Sequence, residues 1–280
     1  MFLADSTKLL IRLALAEDIG RGDCTTEAII DAHLQARATV YVKQPARIAG
    51  SRMIDAVYSE LGSEVRVEYL VDDGQDISGE RTAVCQLYGP ARSLLMGERT
   101  ALNFLGRLTG IATFTREAVD QLKGTSTKLL DTRKTTPGWR VLEKYAVKMG
   151  GGHNHRFGLD DMVLIKDNHI ALCGGVAAAV QKARESVGLS TKIEVEVDTL
   201  AQLKEALTTD ADMILLDNMD LPTLRKAVQL TNNHVLIEAS GNMTVDRLNE
   251  VAQTGVHYIS MGALTHSVTS VDVGLDVTFE

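Results

Sequence analysis

The chain has little that would staple it, anchor it in a membrane or draw it onto a polyanion. Its 280 residues include three cysteines, Cys24, Cys85 and Cys173, far apart and in no Cys-x-x-Cys pair. That pattern argues against a disulfide framework and a cysteine zinc site, and points to a reducing compartment, the cytoplasm. Positive charge is not in excess: 29 Lys and Arg face 37 Asp and Glu, for a net charge of −8 and a pI near 5.4. Such a balance argues against a surface built for nucleic acid or anionic lipid. No apolar run approaches the roughly 18 residues that a membrane span needs. The N-terminal stretch MFLADSTKLLIRLALAEDIG mixes acids and bases into its apolar pattern, unlike a signal peptide. No Gly-x-Gly-x-x-Gly follows any candidate strand, so the dinucleotide-binding form of an open α/β sheet loses support.

What is present reads as two kinds of architecture. From residue 128 onward short apolar runs recur, KLLD (128–131), MVLIK (162–166), KIEVEV (192–197), MILLD (213–217), HVLIEA (234–239) and HYISM (257–261). Such runs fit strands buried on both faces, and amphipathic stretches such as TLAQLKEAL and LPTLRKAV separate the later ones. Repeated right-handed βα units of this spacing predict a parallel barrel. The first hundred residues instead predict a helix over about 5–16 and alternating antiparallel strands in ARATVYVKQPARIAG, EVRVEYLV and TAVCQLYG. Between the first two of these strands the helix RMIDAVYSEL is expected, and EDIGRGDCTT reads as a loop. Two further helices, ARSLLMGERTALNFLG and TGIATFTREAVDQLKG, lead into the barrel. The expected division is an α+β sandwich domain over 1–105, joined by the tail 268–280, and a barrel over 106–267.

Polar chemistry gathers at the C-terminal ends of the expected strands, the face on which βα barrels carry their active sites. These ends read Asp131-Thr132-Arg133-Lys134, Lys166-Asp167-Asn168-His169, Glu196, Asp217-Asn218, Ser240-Gly241-Asn242 and Ser260-Met261-Gly262. The stretch 131–169 holds Arg133, Lys134, Arg140, Lys144, Lys148, Arg156 and Lys166 with three of the seven histidines. Lys144 and Lys148 share a helix face and read as a solvated surface. Arg133, Arg156 and Lys166 fall at strand ends, where planar Arg forks suit a dicarboxylate. His153, His155 and His169 have no standard zinc spacing, and neighbouring cations would repel a dication. Glu196 and Asp217, on successive strand ends, suit Mg²⁺ completed by substrate phosphates. The small loops EASGN (238–242) and SMGAL (260–264) suit a phosphate cradled by backbone N–H groups. A dicarboxylate end, a magnesium end and a phosphate loop together suggest phosphoribosyl transfer to an aromatic acid.

The strings TRKTTPG, KYAVKMGGGHNHR, LIKDNH, EVEVD, LLDN and EASGN, in this order, resemble the quinolinate phosphoribosyltransferases, the decarboxylating nicotinate-nucleotide pyrophosphorylases. The likeness runs from EDIGRGD (17–23) through GERTALNFL (97–105) to SMGALTHS (260–267). It implies condensation of quinolinate with phosphoribosyl pyrophosphate to nicotinate mononucleotide, pyrophosphate and CO₂, in NAD biosynthesis. It further implies Mg²⁺, a homodimer with shared sites, alone or within a higher assembly, and a seven-stranded incomplete barrel beside an open-faced N-terminal sandwich. Carried over residue by residue, Arg133, His155, Arg156 and Lys166 would hold the carboxylates, joined by Arg99 from the other subunit. Lys134 would reach both substrates. Glu196 and Asp217 would serve the ribose and Mg²⁺, while Ser240, Gly241, Asn242, Ser260, Met261 and Gly262 would surround the 5′-phosphate. Glu196 is preferred to Glu194 on the resemblance alone, since both share one strand face. The alternatives are a related pyrophosphorylase-like protein associated with molybdenum transport and a non-catalytic dicarboxylate sensor. Lys166 speaks against the first, and the paired acids Glu196 and Asp217 against the second.

Overall fold

The computed structural model describes residues 4–278, and its first elements are two helices, α1 (Asp5–Ile19) and α2 (Cys24–Ile29). α2 lies where the sequence reads as a loop. Asp23 caps it, one side-chain oxygen accepting the amides of Thr25 and Thr26 at 3.1 and 3.0 Å. Next come β1 (Gln35–Val42), β2 (Ala46–Arg47), α3 (Arg52–Glu60), β3 (Arg66–Tyr69), β4 (Asp76–Ile77) and β5 (Thr82–Pro90). β1 buries Ala36, Ala38, Val40 and Val42 and turns the residues between them outward. That alternation marks a sheet with one face on a core.

α4 (Ala91–Asp120) is a single helix of 30 residues, not the two helices expected. Gly106 and Gly110, which suggest a break in the sequence, serve close approach instead. A Cβ on Gly110 would lie 2.3 Å from the Thr269 carbonyl oxygen, and one on Gly106 2.8 Å from that of Val271. The Val271 amide donates to the Gly106 carbonyl at 3.0 Å, and Arg107 donates to the Val268 carbonyl at 3.1 Å. The chain after Ser267 therefore lies directly on the helix backbone, where only glycine leaves room. On α5 (Arg140–Met149), Lys148 is exposed as expected, but Lys144 is only 3% exposed. The solvated-surface reading fails for Lys144 because α5 turns that side, with Glu143, into the protein. Glu143 is fully buried and accepts from Arg107 at 3.0 Å and from the Thr136 amide and hydroxyl at 3.1 and 2.9 Å.

The parallel strands are β6 (Lys128–Leu130), β7 (Val163–Ile165), β8 (Ile193–Val197), β9 (Met213–Asp217), β10 (Leu236–Ser240) and β11 (Tyr258–Ser260). Their helices are α6 (Asp167–Cys173), α7 (Val176–Ser186), α8 (Leu200–Ala206), α9 (Leu221–Thr231), α10 (Leu248–Ala252) and α11 (Ala263–His266). The spatial order is β6-β11-β10-β9-β8-β7, so the first of these parallel strands pairs with the last and the sheet curls as a barrel does. Of the seven strands expected, six form ladders. The other, between β6 and β7, is reduced to one parallel bridge, Leu130 to His153. The last strand, β12 (Val273–Thr278), pairs with β1 in an antiparallel sheet of order β12-β1-β5-β3.

The chain divides into two compact units. One holds the residues up to Arg116, 135–151 and those from Ser267; the other holds 117–134 and 152–266. The helix α5 thus groups with the N-terminal elements, although it follows β6 in the chain. Gly110→Ala tests the close approach on α4. In an open helix the change would stabilise by about 1 kcal/mol, whereas here overpacking should give a net loss of about 1–2 kcal/mol in a urea titration.

Candidate active site

The strand ends of the second unit enclose a cavity of about 510 Å³. β6 delivers Thr132, Arg133 and Lys134, and the bridged segment after it delivers His155 and Arg156. β7 delivers Lys166, β8 Glu196, β9 Asp217 with Asn218, β10 Glu238 with Ser240, Gly241 and Asn242, and β11 Ser260 with Gly262. All these residues belong to one compact unit.

Cations dominate one part of this lining. Arg156 is 9% exposed, donates to the Met162 carbonyl at 3.3 Å, and has a buried Nε with no hydrogen-bond partner among the described residues. Burial and then the charge of Arg133 both work against its own charge, and Glu194 and Asp161 offset this in part. A buried guanidinium beside a second arginine is an arrangement that awaits an anion. Lys134 is pinned through its backbone: its amide donates to the Thr132 hydroxyl at 3.0 Å, and its carbonyl accepts from the Thr265 hydroxyl at 2.7 Å. Its side chain runs along Gly262, where a Cβ would lie 2.9 Å from Lys134 Cδ. Lys166 stands at the N-terminus of α6, with its amide donating to His169 Nδ1 at 2.9 Å and its ammonium paired with Glu196. That contact gives His169 of the LIKDNH string a supporting role.

Beneath the cations lies a feature the sequence reading missed. Glu194 and Glu238 are fully buried, and their Oε2 atoms lie 3.0 and 3.3 Å from His155 Nε2. By hydrogen-bond geometry none of the four carboxylate oxygens has a partner among the described residues, so the two approaches to Nε2 are close ion-pair contacts. Burial raises the pKa of Glu194, against the pull of His155, and the neighbouring Glu238 raises it further. Burial disfavours charge on the imidazole and the two carboxylates favour it, but the Arg156 amide aimed at Nδ1 at 2.7 Å leaves no place for a second proton, so the ring holds one proton only. The proton they favour is the one on Nε2. Nδ1 accepts the Arg156 amide at 2.7 Å, a contact that an Nδ1–H would oppose. His155 therefore lines the cavity without turning either ring nitrogen toward it. The strand alternation that shows Glu194 and Glu196 on one face could not say that the first lies deeper.

The opposite part of the lining is a tight loop pair. Asn218, Gly241 and Asn242 all have left-handed backbones, with φ of 52°, 98° and 46°. A Cβ on Gly241 would lie 2.3 Å from Asn218 Oδ1, so only glycine fits there. Asn218 donates its amide to the Ser240 carbonyl at 3.0 Å and its side-chain NH₂ to Asp217 at 2.6 Å. Asn242 donates to Asn218 Oδ1 at 3.3 Å. Ser260 and Gly262 line the cavity as expected, but Met261 does not: it is buried, and its amide extends the β6 pairing by donating to the Leu130 carbonyl at 3.0 Å. Arg99 belongs to the other unit, exposed on α4, and is not among the lining residues.

The model of the quinolinate phosphoribosyl transferase C-terminal domain matches residues 111–276, and that of the N-terminal domain matches 23–109. The chain belongs to the quinolinate phosphoribosyl transferase family. It is 46% identical over 271 residues to a probable nicotinate-nucleotide pyrophosphorylase [carboxylating] of Bacillus subtilis, covering 97% of this chain and 93% of that one. It is 39% identical over 292 residues to a mitochondrial quinolinate phosphoribosyltransferase [decarboxylating] of Nicotiana tabacum, covering 98% of this chain and 82% of the relative. The crystal structure of NadC from Streptococcus pyogenes superposes with a TM-score of 0.95 at 38% identity, covering 100% of this chain and 99% of that one.

Proposed function

We propose that this chain transfers the phosphoribosyl group of phosphoribosyl pyrophosphate to quinolinate and decarboxylates the product, giving nicotinate mononucleotide, pyrophosphate and CO₂ for NAD biosynthesis. The observation that carries the reading is the buried Arg156 with its partnerless Nε beside Arg133. Two converging guanidinium groups suit two carboxylates on one ring. Lys166 would complete that end. Lys134, lying along Gly262, would reach from the carboxylate end to the phosphate end, where Ser240, Gly241, Asn242, Ser260 and Gly262 would take the 5′-phosphate.

Displacement of pyrophosphate at the ribose C1 develops positive charge on the sugar. Glu196 and Asp217, on neighbouring strand ends, would stabilise it. After the C1–N bond forms, loss of the 2-carboxylate as CO₂ leaves an electron pair at C2, next to the new pyridinium nitrogen, and a proton replaces it. The same two acids fit a Mg²⁺ ion. Asp217 is oriented by Asn218 at 2.6 Å, and among the described residues no further His, Cys, Asp or Glu completes a compact ligand set with them. Such a pair suits an ion whose shell is completed by phosphate oxygens and water rather than a protein cage. When bound, the ion would offset the charge of the leaving pyrophosphate.

Quinolinate with phosphoribosyl pyrophosphate and Mg²⁺ should yield nicotinate mononucleotide. Nicotinate, which leaves one cation unpaired, should be used with kcat/KM at least about 100-fold lower. Equal use of the two acids would overturn the assignment.

Arg99 fits the reading best if it enters the site of a second copy of the chain. We propose a cytoplasmic homodimer with two shared sites, each built from one barrel and the partner's arginine. Arg99→Ala and Lys166→Ala enzymes should each be nearly inactive. Unfolded together and refolded, about half the dimers are mixed, and one site in each is whole, restoring about a quarter of all sites. Mixed dimers without recovered activity would rule out sharing.

A further inference from the structure

Arg156 sits at the end of a strand that has almost no ladder. The segment is tied to β6 by one bridge, with His153 donating to the Leu129 carbonyl at 2.8 Å and accepting from the Asp131 amide at 3.0 Å. Toward β7 the described residues show no ladder at all. A strand held on one edge over a single bridge does not by itself fix the side chains beyond it. Three buried carboxylates from three other strands stand where the ladder would be. Asp131, at the end of β6, accepts the His155 amide at 2.9 Å and the Asn154 side-chain NH₂ at 2.6 Å. Glu194 of β8 and Glu238 of β10 flank Nε2 of His155 at 3.0 and 3.3 Å. Nδ1 of the same ring accepts the amide of Arg156 at 2.7 Å.

We propose that Glu194 and Glu238 are positioning residues: they hold His155 as its Nε2–H tautomer, so that Nδ1 accepts the Arg156 amide and sets the direction in which Arg156 enters the cavity. The chemistry of the ring requires this division. A neutral imidazole donates at one nitrogen and accepts at the other, and whichever partner binds the first decides what the second can do. Ionised carboxylates accept and do not donate, so their approach at 3.0 and 3.3 Å favours the proton on Nε2. Were it on Nδ1 instead, two N–H groups would face one another across 2.7 Å. The carboxylates have a second effect. Glu194 attracts the Arg156 guanidinium and offsets part of the repulsion from Arg133, so the cation remains charged though buried. Nε2 of His155 lies against both carboxylates, and Arg156 feels the charge of Glu194. Neither glutamate bonds to substrate in this account; both act through the His155-Arg156 pair.

The kinetic arm of the test rests on the quinolinate reading, and the spectroscopic arm does not. In the first, Glu194→Leu with Glu238→Leu removes both acceptors at similar volume, while Glu194→Gln with Glu238→Gln keeps an oxygen at each place. The Leu pair should raise the KM for quinolinate about tenfold or more and leave that for phosphoribosyl pyrophosphate within about twofold, with the Gln pair recovering most of the loss. A parallel rise in both KM values, or a Leu pair that matches the wild type, would overturn the proposal. In the second arm, ¹⁵N NMR of the wild-type protein reads the ring of His155 directly. Nε2 should be protonated and Nδ1 bare at neutral pH, and a proton on Nδ1 would overturn the proposal even if the Leu pair failed to fold. A wild-type enzyme that ignores quinolinate would sink the functional reading alone, and the tautomer would then decide this one.

Discussion

Arg133 and Arg156 repel one another at the mouth of the barrel, and the protein supplies only part of the counter-charge. Glu196 is taken by Lys166, and Glu194 lies below, shared with His155. A dianion that reaches both arginines therefore meets one, Arg156, whose desolvation was largely completed when the chain folded, while Arg133 is exposed until the ligand arrives. The arrangement costs stability in the free protein and returns it on binding. Ser240 to Asn242 lie at the end of β10, and Gly262 follows β11, which pairs with β6, so Lys134 at the end of β6 lies beside both Arg133 and the Gly262 loop.

Such a repulsion is tolerable only if the cations cannot swing away. Lys134 is held by hydrogen bonds through both its amide and its carbonyl, and Lys166 by His169 at its amide. Arg156 has the weakest backbone support of the set, being carried by the segment with a single bridge, and it receives the densest side-chain support. The incompleteness of the barrel and the buried carboxylates are thus two sides of one design: where the ladder stops, acceptors from neighbouring strands take over.

Much of this was legible in the residue order. Short apolar runs ending in polar groups marked the six strands that form ladders, because a strand buried on both faces leaves an apolar signature, whereas the polar bridged segment at His153 left none. The string from Asp131 to His169 pointed to the anion site for a similar reason, as so many cations in one stretch of loop ends need a shared ligand. What was hidden depends on depth and on partners far apart in sequence. Glu194 and Glu196 alternate identically, and only the packed barrel shows that one meets His155 and the other Lys166. Glu238 reads as the start of a phosphate loop, yet its side chain turns down to a histidine 83 positions earlier in the chain, which no local pattern encodes. Lys144 has the look of a surface lysine and is buried, and Met261 lies in a loop of lining residues but turns inward. α4 reads as two helices because glycine usually breaks one; the reason it does not here is a backbone contact more than 150 residues away.

The central claim is that Arg133 contributes to binding and not to folding. Urea titrations of the wild type and Arg133→Ala, with and without quinolinate, test it directly. Without ligand the variant should be as stable as the wild type or more so, within about 0.5 kcal/mol of change. At a quinolinate concentration near 100 times its Kd the wild type should gain about 2.7 kcal/mol. The variant should gain less than about 1 kcal/mol at that concentration, since losing one partner of a desolvated ion pair weakens binding by about 2–5 kcal/mol. A variant that lost more than about 1 kcal/mol without ligand, yet kept its full gain with it, would mean that Arg133 is a structural residue and that the repulsion is not what organises the site.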